Sequence, residues 1–131
     1  MGEGIMDDLS GQEIRGYVLH ERIGAGGFGA VYRATQSSVG REVAVKIILP
    51  QFASQPDFKR RFESEARLIA RLEHVHIVPL IDYWQEQNGS AYLVMRWLRG
   101  GNLRRMIREQ PLDLPLAVRI IDQIAQALSV A

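Results

Sequence analysis

The 131-residue chain carries 16 Lys and Arg against 15 Asp and Glu, a formal net charge of +1, with 47% apolar and 24% charged residues. That balance describes about one globular domain and supplies no charge excess for a nucleic-acid or membrane-surface partner. With no cysteine in the chain, disulfides, thiolate zinc sites and thiol catalysis are excluded.

Residues 1–16 read as a tail, polar and glycine-rich over 1–13. Glu3, Asp7 and Asp8 stand where a signal peptide needs a basic segment and an apolar core. Met6 occupies the position at which N-myristoylation needs Ser or Thr. No apolar run approaches the roughly 18 residues that cross a bilayer, so no membrane partner is expected within this chain, and the expected location is cytoplasmic.

From Tyr17 the texture changes to short β-prone runs. Residues 17–23 and 30–35 read as strands joined by the turn 24–29, and Ser37-Ser38-Val39-Gly40 turns the chain into a third strand over 42–49. Connections this short make the strands antiparallel neighbours. Pro50 closes the run, and Asp57 reads as the N-cap of a helix to about Leu72. Two further strands, 77–84 and 91–97, flank Gln87-Asn88-Gly89-Ser90, whose Asn-Gly is a hairpin signal. After Gly100-Gly101, Asn102 caps a short helix to about Glu109, and a last helix runs from Leu116 to the chain end.

Three features carry chemistry. Gly24-Ala25-Gly26-Gly27-Phe28-Gly29-Ala30-Val31 fits G-x-G-x-x-G-x-V. Glycine lets the backbone approach phosphate oxygens closely with its N–H groups, although a ligand-free glycine hairpin fits the same pattern. A dinucleotide fold needs a helix after the loop, and the β-branched and aromatic run over 30–35 argues against one. A Walker A loop needs a following Gly-Lys-Ser/Thr, which is absent.

The second feature is Lys46 within Val43-Ala44-Val45-Lys46-Ile47-Ile48. A side-chain period of 2 puts Ala44 and Lys46 on one face and Val43, Val45 and Ile47 on the other. The third is Glu65. At 100° per residue, Phe62, Glu65, Ile69 and Leu72 fall within about 40° of Phe58, so Glu65 lies in the apolar stripe of its helix. A buried carboxylate needs a partner, and Lys46 on the preceding strand is the expected one. Glu63 lies between Lys59 and Arg67 at i±4 and reads as a solvated surface charge.

In this order and spacing, the glycine hairpin, the strand lysine and the helical glutamate resemble the N-terminal lobe of eukaryotic-type protein kinases. The texture of Phe62-Glu63-Ser64-Glu65-Ala66 through Leu72–Val78 is similar to bacterial serine/threonine kinases. The resemblance implies an α+β fold, with a five-stranded antiparallel sheet and one main helix over 17–98, then the first helices of an incomplete second lobe over 99–131. It implies ATP as ligand, contacted by Ile23, Gly24, Ala25, Gly26, Gly27, Phe28, Gly29, Ala30 and Val31 of the hairpin strands. Val31 and Ala44 would sandwich the adenine. Lys46, held by Glu65, would grip the α- and β-phosphates. Met95 would stand behind the base, the backbone of Arg96 and Leu98 would read its edge, and Asn102 would meet the ribose or substrate side. Arg96 departs from the pattern, since many members have an acidic residue there. Because the main chain reads the base, nucleotide binding is expected to survive.

Phosphoryl transfer in that family also uses a catalytic-loop aspartate, with an asparagine and a D-F-G aspartate holding magnesium. Neither His-Arg-Asp nor Asp-Phe-Gly occurs in the sequence, so the metal ligands and the protein-substrate site are expected in a longer parent, and the 131-residue chain is expected to be inactive alone. The last helix agrees. Its polar residues Arg119, Asp122, Gln123 and Gln126 span only about 100° of arc, and its end at Ser129-Val130-Ala131 has no stop signal, as though the helix expects the rest of a second lobe. Two alternatives stay open: a nucleotide-binding pseudokinase, or a non-catalytic interaction module. The basic residues Arg99, Arg104, Arg105 and Arg108 read as a solvated helix face. His74 and His76 read as turn and packing residues rather than a metal site.

Overall fold

The computed structural model describes residues 8–131. The chain forms two compact units, 8–71 with 79–97, and 72–78 with 98–131. The first unit holds β1 (Glu13–Ile14), β2 (Tyr17–Gly26), β3 (Gly29–Gln36), β4 (Arg41–Ile48), α1 (Pro50–Ala53), α2 (Pro56–Ala70), β5 (Leu80–Gln85) and β6 (Ala91–Arg96). Its strands form one antiparallel sheet in the order β1-β2-β3-β4-β6-β5. The class and the antiparallel sheet are as expected, with six strands rather than five. The additional one lies within the expected tail, where Glu13 and Ile14 pair with Val18 and Tyr17. The rest of the tail expectation, residues 1–7, lies outside the described residues.

Alternation along β3 and β4 separates the two sheet faces. Ala30, Tyr32 and Ala34 of β3 and Val43, Val45 and Ile47 of β4 are buried, joined in one core by Tyr17, Leu19, Trp84, Tyr92 and Val94. Burying a large apolar side chain contributes roughly 1.5–3 kcal/mol, so this face holds the sheet together. The buried Tyr32 hydroxyl is satisfied, accepting from the Leu9 backbone N–H at 3.0 Å and from Arg22 at 3.1 Å.

Several element boundaries differ from expectation for local reasons. Pro50 starts α1 instead of merely ending β4, and Pro56 starts α2 with Gln55 as the N-cap residue. Proline suits a first helical turn because its missing N–H is not needed there. Asp57 therefore sits inside the first turn, where it accepts from Arg60 at 2.9 Å. The fourth expected strand starts at Leu80 rather than Ile77, because Ile77 N–H turns back to the His74 carbonyl at 3.1 Å.

In the second unit, α3 (Leu103–Glu109) and α4 (Leu114–Val130) are capped by Asn102 and Asp113. Their side chains accept from Arg105 N at 2.8 Å and Leu116 N at 2.9 Å. Thus α4 begins two residues before the expected Leu116, with Pro115 in its first turn. Val118, Ile121, Ile124 and Leu128 of α4 are exposed. Among the described residues no helix is long and apolar enough to cross a membrane.

Candidate functional site

The sheet face opposite the core is only half covered. Strand register places Val31 and Leu93 directly beside Lys46 on either side, and Arg33 and Met95 beside Ala44. Val31, Ala44, Leu93 and Met95 are half-buried, whereas Lys46 is exposed. The result is a largely apolar surface with Lys46 in its middle and Arg33 towards one end. No hydrogen bond or ion pair engages the Lys46 side chain among the described residues.

One end of this face is closed by a charged clasp. Arg33 donates through Nε to both Glu21 oxygens, at 3.0 and 2.9 Å, and through Nη1 to Glu42 at 3.2 Å. This ties β2, β3 and β4 together. The guanidinium holds the Glu21 carboxyl below the usual carboxylate range, chiefly by its hydrogen bond. Sequence reasoning missed the clasp. Alternation puts Arg33 and Glu42 on the open face. Glu21, however, shares the phase of buried Tyr17 and Leu19 and lies within the register shift between Leu19 and Arg22, so the sequence carried only part of the signal.

The glycine hairpin stands at the other end. Pairing continues through Gly24–Val31, Ala25–Ala30 and Gly26–Gly29, so the expected six-residue turn narrows to Gly27 and Phe28. A Cβ added at Gly29 would drive into the Ile47 carbonyl oxygen, 2.9 Å from the carbonyl carbon and 3.2 Å from Ile48 Cα. Glycine is thus imposed by close approach of β3 to β4. At Gly26 and Gly27 an added Cβ would meet nothing within 4 Å, so the outer tip of the hairpin is open. Ile23 and Phe28 are exposed, while Ala30 points into the core and has only its backbone to offer a ligand. The Phe28 ring packs edge-on against Phe52 of α1, with centroids 4.9 Å apart.

Glu65 corrects one expectation. It lines a groove of about 370 Å³ between α2 and the sheet, with Ile48, Phe58, Phe62, Ala66 and Leu93, so its helical phase is sheetward as expected. Yet it is exposed, Lys46 is exposed, and among the described residues no ion pair joins them. The physical reason is the light packing of α2. Ala66 is its one buried residue, and Phe62 touches Tyr83 of β5 edge-on at 6.0 Å. The open groove leaves the carboxylate in water, which removes the desolvation cost that demanded a partner. Glu63 accepts from Arg67 at 2.9 Å on the exposed side, as its flanking charges required.

Arg96 ends β6, its N–H donating to Pro79 O at 3.3 Å. Leu98 and Asn102 belong to the second unit, where the Asn102 side chain is committed to capping α3. His74 Nδ1 accepts from His76 N–H at 3.0 Å, a turn contact. Among the described residues no group of three or more His, Asp or Glu is placed to hold a metal.

Comparison with known proteins shows the family and the fold. The sequence signature of the protein kinase domain matches residues 17–130, and the chain belongs to that family. It is 38% identical over 130 residues to serine/threonine-protein kinase PknE of Mycobacterium bovis, covering 98% of this chain and 23% of that protein. It is 39% identical over 126 residues to serine/threonine-protein kinase PknH of Mycobacterium tuberculosis, covering 95% of this chain and 20% of the relative. Among solved structures it is similar to the PknI kinase domain of Mycobacterium tuberculosis, crystallised as a double mutant. There the TM-score is 0.81 at 28% identity, covering 95% of this chain and 51% of that one. The chain therefore spans under a quarter of the relatives' length and about half of the solved kinase domain.

Proposed function

We propose that this chain is the ATP-binding portion of a serine/threonine protein kinase that, in a longer parent, transfers phosphate from ATP to protein hydroxyls. One observation carries the reading: a lysine with no hydrogen bond or ion pair among the described residues, in the middle of a half-buried sheet face that runs up to an open glycine hairpin. Val31 and Ala44 offer an apolar bed for adenine, with Met95 beside it. The Lys46 ammonium supplies charge for the α- and β-phosphates, and the tip at Gly26 and Gly27, where an added Cβ would meet nothing, leaves room for them beside the backbone. Main-chain groups near Arg96 would read the base edge.

Among the described residues no cluster of three or more His, Asp or Glu offers a metal ion a site. In this reading magnesium and the protein substrate are held by the rest of the parent, which would also cover the apolar side of α4. The 131-residue chain alone binds nucleotide without transferring its phosphate.

The test is an ATP titration of the isotope-labelled chain followed by amide NMR shifts. The reading expects saturable shifts at Gly24–Val31, Ala44–Lys46 and Leu93–Arg96. Shifts confined to other residues, or none at millimolar ATP, would contradict it.

A further inference from the structure

The tip of the glycine hairpin meets the end of β4 and the start of α1 at three points. Gly29 lies against the Ile47 carbonyl with no room for a side chain. The Phe28 carbonyl accepts from Leu49 N–H at 2.8 Å. The Phe28 ring, itself 65% exposed, meets the Phe52 ring at 4.9 Å with an interplanar angle of 63°. Leu49 is the N-cap residue of α1, and only the ring contact reaches a side chain within that helix.

A four-residue helix cannot hold itself, so α1 must be fixed from elsewhere. Ala53 is fully buried, and its carbonyl accepts from Gln85 Nε2 of β5 at 3.1 Å. Pro50 and Ser54 lie against Gly89 in the β5–β6 turn, where a Cβ added at the glycine would come within 3.0 Å of Ser54 Cβ. Phe52 is thereby anchored to the β5–β6 turn, which lies at the same end of the strands as the hairpin, since Gly29 pairs with Ile48, Ile48 with Ala91 and Ala91 with Gln85.

We propose that Phe52 is a positioning residue for nucleotide binding, holding the glycine hairpin through Phe28 so that its amides are ordered before phosphate arrives. Glycine segments lose the most conformational freedom on ordering, and a ligand that must order its own loop binds more weakly. An edge-on aromatic pair at a water-exposed position contributes modestly, enough for a change of about threefold to tenfold in affinity. The inference rests on the nucleotide reading above, and it assigns the effect to the phosphate end of the ligand. Adenosine, which has no phosphates, is indifferent to it.

Two measurements on the 131-residue chain test this. In Phe52→Ala without nucleotide, amide exchange at Gly29 and Leu49 speeds up while Val43 and Val45 in the core stay protected. In titrations, the same variant loses about threefold to tenfold in ATP affinity with adenosine affinity unchanged. Phe28→Ala reproduces both effects, and Phe52→Tyr, which keeps the ring edge, restores wild-type behaviour. An unaltered ratio of ATP to adenosine affinity in Phe52→Ala with an intact core overturns the proposal. If the wild-type chain binds neither ligand, the nucleotide reading itself falls. Exchange then decides the structural link alone, and equal rates at Gly29 and Leu49 in both chains overturn it.

Discussion

The Tyr17 hydroxyl donates to the Asp82 carboxylate at 3.0 Å, joining β2 to β5 across the gap left by the sheet order. Trp84 reinforces the closure, stacked between Tyr17 at 5.8 Å and Tyr92 at 4.9 Å. Arg15 adds to it, lying over the Trp84 ring at 5.1 Å and 3.7 Å from Glu86. The sheet thus curls until its ends meet, with the core inside the curl and the Lys46 face outside. A closed seam also protects edge strands from pairing with other chains.

This closure makes stability fall in strong base. Burial, and then the hydrogen bond to Asp82, pushes the Tyr17 phenol up to about 12. In the unfolded chain it ionises near its ordinary value of about 10. Between those values the unfolded state binds fewer protons, so stability drops as pH rises. The stabilisation is complete below about pH 10 and lost towards 12, at up to about 1.4 kcal/mol per pH unit. In Tyr17→Phe, urea denaturation should show a loss of about 0.5–1.5 kcal/mol at pH 7 and a shallower fall above pH 10. Tyr92, raised by burial, keeps part of the slope. A slope identical to wild type would contradict the account.

Gly29→Ala should be the most damaging single methyl added to the hairpin, because its Cβ meets backbone rather than a side chain that can swing away. The expected cost is about 1–3 kcal/mol. Gly27→Ala, whose Cβ meets nothing, should stay within about 0.5 kcal/mol. Equal denaturation midpoints for the two variants would show that the approach of β3 to β4 is relaxed in solution.

Glu65→Gln discriminates between a buried pair and the exposed arrangement. Breaking a buried ion pair costs about 3–5 kcal/mol, whereas neutralising an exposed, unpaired carboxylate shifts stability by less than about 0.5 kcal/mol. The thermal midpoint of the 131-residue chain should therefore hardly move. A large drop would show that α2 closes onto Lys46 in solution.

What the sequence disclosed followed the range of the forces involved. Period-2 alternation around Lys46 separated the two faces of β4 correctly, and Asn102 was legible as a cap because capping is local. The phase of Glu65 was legible too, since 100° per residue fixes direction. Its distance from the sheet was not, because that depends on how tightly Phe62 and Ala66 seat against β5. Tyr17 with Asp82, Phe28 with Phe52, and Arg33 between Glu21 and Glu42 join residues on different strands, a turn and a helix. Their meeting is decided by the curl and twist of the sheet rather than by neighbours in the chain.

The central claim is that the open face of the sheet grips nucleotide phosphate through Lys46. It is tested most directly by ATP and adenosine affinities of the wild-type chain and Lys46→Met. Because Lys46 is exposed and unengaged, the variant should fold with a midpoint close to wild type. It should lose about tenfold or more in ATP affinity, as expected for a charge-assisted phosphate contact, and keep its adenosine affinity. Equal losses for both ligands, or no loss for either, would contradict the account.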